Sequence, residues 1–66
     1  MLYHVYGAYR GDNEYSCLFS GTLEDCRAAC QDMDKNRFVS LEICEHSGLT
    51  VEWCVIHGNP MSEAVR

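Results

Sequence analysis

Apolar and polar side chains alternate from Leu2 to Tyr9, with Tyr3, Val5 and Tyr9 as the recurring large residues. That period of two predicts a β-strand. Arg10-Gly11-Asp12-Asn13-Glu14 follows, rich in residues that turn a chain. Tyr15 to Phe19 then reads as a second, shorter strand. A loop at Gly11-Asp12-Asn13 sets Arg10 opposite Glu14 and Val5 opposite Phe19. The pleat places Tyr3, Val5, Tyr9, Tyr15, Cys17 and Phe19 on one side. It places His4, Tyr6, Ala8, Ser16 and Leu18 on the other.

The period changes after Ser20-Gly21-Thr22. Leu23, Cys26, Cys30 and Met33 recur at spacings of three and four, with Ala29 beside them, which is the stripe of an amphipathic helix. Thr22 is a suitable N-cap. Asp25, three residues on, stands where a capping box carries Glu. Glu24 and Asp25 in the first turn suit the positive end of the helix dipole. The helix is expected to end near Asp34-Lys35-Asn36.

Alternation returns from Arg37 to Glu45 and from Leu49 to Ile56, joined by a three-residue loop, His46-Ser47-Gly48, whose glycine suits a left-handed conformation. Val39, Leu41 and Ile43 are expected to meet Leu49, Val51, Trp53 and Val55 on the core side. Gly58-Asn59-Pro60 is expected to stop the sheet, and residues 61–66 read as a frayed tail. The predicted fold is α+β in the order ββαββ. It is a four-stranded, mainly antiparallel sheet with one helix packed on one face, all within a single domain spanning residues 1–66.

One helix covers one face, so the opposite face has no intramolecular cover. Tyr6, Leu18, Phe38 and Ile56 fall on it and form an apolar patch of the kind that marks contact surfaces. Cys44 and Cys54 share that face. Glu42 and Glu52 are expected to oppose each other directly across the last hairpin. Such a like-charge pair costs ~0.2–1 kcal/mol, which reads functionally as two carboxylates awaiting an Arg or Lys from a partner. Tyr6, Phe38, Glu42 and Glu52, with Glu24 and Asp25 at the helix start, are therefore the candidate partner-binding residues.

Composition narrows the function. The chain has 66 residues, ten acidic against five basic, a formal charge of −5, and 47% hydrophobic residues. It is too short for a two-domain enzyme or most cofactor folds. The acidic balance argues against nucleic acid, whose phosphates need a basic footprint, and for a protein partner with a basic surface. No apolar run is long enough to span a bilayer, and the Met1-Leu2-Tyr3-His4 start lacks the basic, then apolar, pattern of a signal peptide. Five cysteines, an odd number, with Cys26 and Cys30 one helical turn apart, read as reduced core thiols in a cytoplasm. A zinc site from Cys44, His46, Cys54 and His57 fails on distance, since the expected register separates the two thiols by roughly 13 Å. No metal and no cofactor are expected. No Cys–His pair is fixed in a cleft and no phosphate-binding glycine loop occurs, so the chain reads as non-enzymatic.

In plan the chain resembles small accessory proteins of phages and mobile elements, including some anti-CRISPR proteins and phage inhibitors of host enzymes. The likeness rests on the tight opening hairpin, the Ser20-Gly21-Thr22-Leu23-Glu24-Asp25 helix entry and the Val39–Ile43/Val51–Val55 closing hairpin. It implies binding without catalysis in the host cytoplasm, with the small protein occluding a basic, nucleic-acid-handling surface of a larger complex. The alternatives are a structural homodimer stacked through the uncovered face, which would add core to a small chain, and a thiol-based metal or redox module.

Overall fold

The structure, a computed structural model, describes residues 1–12 and 14–60. Strand β1 (Tyr3–Tyr9), strand β2 (Ser16–Gly21), helix α1 (Leu23–Asp32), strand β3 (Phe38–Glu45) and strand β4 (Thr50–Ile56) follow in the predicted order. A two-residue strand, β5 (Asn59–Pro60), adds an edge beyond β4. The sheet order is β2-β1-β3-β4-β5, antiparallel throughout. The chain leaves β2, crosses through α1 and returns on the other side of β1, so β1 lies between β2 and β3, and β3 is the middle strand. The expected tail, residues 61–66, lies outside the described residues.

Local chemistry sets the element ends. Thr22 caps α1, its hydroxyl accepting from the Asp25 N–H at 3.1 Å. At the other end Lys35 Nζ donates to the Cys30 carbonyl at 2.9 Å, satisfying one of the helix's last acceptors. Asp34 then caps a single 3-10 turn, Lys35–Arg37, that feeds into β3. Gly48, at φ 104°, closes the β3–β4 loop as its spacing predicts. The chain does not stop at Gly58: His57 and Gly58 both take positive φ, 52° and 81°. Two such residues make a tight primed hairpin turn, which returns the chain as β5.

Cys26 and Cys30 of α1 pack on Val5, Leu41, Ile43 and Val55, all fully or nearly fully buried. Leu23 and Met33 flank them, so the predicted stripe of the helix is the one that meets the sheet.

The sheet faces depart from strict alternation at four places. The registers shift between Val5 and Tyr6 against β2, between Ala8 and Tyr9 against β3, and twice along β3 against β4. Each shift is one residue, and one residue reverses which face a side chain takes. Ala8 pairs with Ser40 and Tyr9 with Phe38, which leaves Val39 as the extra residue, exposed. Phe38 thereby turns into the core at 3% exposure instead of lying on the uncovered face. Leu18 likewise moves to the core side, because Tyr6 pairs with Cys17 and Val5 with Phe19. In β4, Glu42 pairs with Trp53 and Leu41 with Val55, so Cys54 is the extra residue and packs against the core. Val51 is extra in the same way, and Leu49, Val51 and Trp53 are exposed where strict alternation buries them.

Candidate functional site

The face opposite α1 is uncovered among the described residues. Antiparallel partners share a face, so the pairings Tyr6 with Glu42, His4 with Cys44, Glu42 with Trp53 and Cys44 with Thr50 assemble it. Its centre is a cavity of about 330 Å³ lined by His4, Tyr6, Tyr15, Glu42, Cys44, Glu45, His46 and Gly48.

Glu42 is the deepest charged group of this face, at 7% exposure. Thr50 Oγ1 donates to its Oε1 at 2.6 Å. Tyr15, carried in from the β1–β2 loop, interacts with Ser40 and Glu42. Burial of its phenol, reinforced by the Glu42 carboxylate and opposed by Ser40, pushes its pKa above the ordinary tyrosine value. The rings of Tyr6 and Tyr15 stand 6.2 Å apart, tilted by 32°.

The two imidazoles form the other wall. His4 Nδ1 lies 2.7 Å from Ser20 Oγ, and His4 Nε2 lies 3.0 Å from His46 Nδ1. Attraction across that second contact requires one proton between the two rings. Cys17 Sγ approaches Ser20 Oγ at 3.6 Å and His4 Nδ1 at 3.9 Å. Ser20 is thus the closer partner of that nitrogen.

The predicted contact residues divide. Tyr6 and Glu42 are brought together on the uncovered face. Phe38 is in the core, as the extra Val39 dictates. Glu52 does not oppose Glu42: it pairs with Ile43 on the helix side, where Arg27 Nε donates to its Oε1 at 3.1 Å. The apparent like-charge conflict across the hairpin is absent, and the partly exposed ion pair that replaces it contributes little to stability. Glu24 and Asp25 are exposed in the first turn of α1, away from this face. Tyr15, Trp53 and His46 complete the site and were not among the predicted contacts. Their place follows from the β1–β2 loop, the register shifts and the β3–β4 loop.

All five cysteines are free. Cys44 does pair with Thr50, as the spacing predicts. Among the described residues no group of three or more His, Cys, Asp or Glu is placed to hold a metal ion; His4 and His46 are the two such side chains in direct contact on this face. Cys30 and Cys54 meet between helix and sheet. The Cys30 thiol donates to Cys54, which raises Cys30, already raised by burial, and lowers Cys54.

Among the described residues the basic side chains are engaged away from this face. Arg10, expected opposite Glu14, donates to the carbonyls of Asn36 at 2.6 Å and Gly58 at 2.9 Å. Arg37 lies over the Tyr9 ring, 5.9 Å from its centroid, Lys35 caps α1, and Arg27 holds Glu52. Among the described residues, Arg27–Glu52 is the one ion pair.

No helix among the described residues is long and apolar enough to cross a membrane. No protein-family model matches the chain, and comparison with curated proteins and with solved structures finds no match.

Proposed function

We propose that this is a small acidic, non-enzymatic protein-binding module that docks through the uncovered sheet face onto a basic surface of a larger partner. Acting in the cytoplasm of a host cell, it inhibits a nucleic-acid-handling complex by occupying the surface that nucleic acid would use. One observation carries the reading. The uncovered face presents Trp53, Tyr6 and Tyr15 around Glu42, while Arg10, Arg27, Lys35 and Arg37 are all tied up elsewhere. Aromatic anchors supply contact energy at interfaces, and a field of unneutralised carboxylates steers basic surfaces toward them. The architectural likeness to phage and mobile-element inhibitors, anti-CRISPR proteins among them, points to the same class of action. On the non-enzymatic side, both nitrogens of His4 are occupied, by Ser20 and by His46, so the nearest base to Cys17 is already engaged.

The test mixes purified protein with candidate nucleic-acid-handling complexes and measures their affinity for nucleic acid. The reading expects the affinity of one of them to fall, with the effect weakening as salt rises. Glu52→Gln should inhibit like the parent, since Glu52 lies on the helix side. Absence of binding to every candidate at low salt would contradict the reading, and so would inhibition that depends on Glu52.

A further inference from the structure

The cavity at the centre of the uncovered face joins features that seldom occur together without a ligand. Glu42 is more than nine-tenths buried, yet the groups that hold it, the Thr50 and Tyr15 hydroxyls, carry no positive charge. A buried carboxylate oriented only by neutral donors keeps most of its need for a counter-charge. Among the described residues no Lys or Arg lines the cavity. The two tyrosine rings stand 6.2 Å apart above this floor. Across from them His4 and His46 are fixed against each other and contribute polar edges.

We propose that this cavity receives an arginine side chain from the partner, its guanidinium paired with Glu42 and its flat face against Tyr6 or Tyr15. This rests on the docking function above and names the chemistry at its centre. A cavity of about 330 Å³ is at the small end of ligand sites, large enough for one side chain and too shallow for a folded element. A planar cation with a fork of donors matches a carboxylate beside aromatic faces better than a compact ammonium does. The arginine supplies the charge that Arg10, Arg27 and Arg37, spent on Asn36, Gly58, Glu52 and Tyr9, do not bring.

The probe is N-acetyl-arginine-N-methylamide, titrated into the isolated protein and followed by NMR. Saturable shifts are expected at Tyr6, Tyr15, Glu42 and Thr50. The neutral citrulline analogue should give none. Glu42→Gln should weaken binding about tenfold, the scale of one lost charge-assisted hydrogen bond. Thr50→Val, which removes the hydroxyl that orients Glu42, should weaken it by a smaller factor and keeps the test decisive if Glu42→Gln does not fold. Equal binding of the arginine and citrulline analogues, or arginine binding unchanged in both variants, would overturn the proposal. The two readings fail separately. A cavity that ignores arginine leaves inhibition through the face standing, and a cavity that binds it in a protein inhibiting no complex refutes the docking function alone.

Discussion

At the scale of single residues, the cysteines show how position sets chemistry. The thiolate is the reactive species, so both exposure and pKa govern attack. Cys17 is exposed on the edge strand. Cys54 is half-buried, and the hydrogen bond from Cys30 favours its thiolate. Burial pushes Cys26 and Cys44 upward; Glu42 adds to the shift of Cys44. Cys30 is raised both by the bond it donates and by burial. Brief alkylation of the native protein with iodoacetamide, read by peptide mass mapping, should therefore label Cys17 first and Cys54 second. Cys26, Cys30 and Cys44 should label only after denaturant is added. Native labelling of Cys26 and Cys30 as fast as Cys17 would mean that the helix does not seal its face of the sheet.

At the scale of elements, the helix was legible and the sheet faces were only half so. Spacings of three and four placed Cys26 and Cys30 in the core, and Thr22 is the cap its position suggests, because these signals are local. The strands themselves were legible for the same reason, and so was the match of Val5 with Phe19. Which face each side chain takes depends on every register shift before it, and nothing local announces that Val39, Val51 or Cys54 is an extra residue. Phe38, Glu52 and Trp53 were misplaced for that reason. One signal was available: Gly7, alone inside a strand pattern, is the kind of residue that marks a bulge or a close approach. It is both. The β2 register has just shifted there, and a Cβ on Gly7 would stand 2.9 Å from Leu41 Cδ1, 3.0 Å from Leu18 Cδ1 and 3.2 Å from Phe38 Cδ1. Its bare backbone lets three core side chains close over β1. Gly7→Ala should therefore destabilise the protein by ~1–3 kcal/mol through overpacking. A core this small rarely supplies more than ~3–5 kcal/mol in total. The urea midpoint should fall accordingly. A midpoint that stays or rises would show that the core over β1 is looser than described.

At the scale of the whole molecule, the layering makes the two sheet faces unlike. The thinnest extent is 20 Å, enough for one sheet with one helix layer upon it. Among the described residues a single 10-residue helix hides one face, and the other is left to side chains alone. Composition made the acidic character legible, and alternation brought Tyr6 and Glu42 to the right face. The cavity was not legible, since it needs Tyr15 and His46 to arrive from separate loops. Trp53 is a large exposed aromatic residue of the face, at 42% exposure, and Arg27 is a surface residue of the helix side engaged with Glu52. Interface energy concentrates in such aromatic anchors.

Comparison of these two positions tests the proposed docking function most directly: the affinity of Trp53→Ala and of Arg27→Ala for the complex that the proposal expects the parent protein to inhibit, each variant first checked for native circular dichroism. An interface on the uncovered face predicts a loss of about tenfold or more for Trp53→Ala and little change for Arg27→Ala. The reverse pattern, with Trp53→Ala binding as tightly as the parent and Arg27→Ala failing to bind, would place the contact on the helix side and contradict the account.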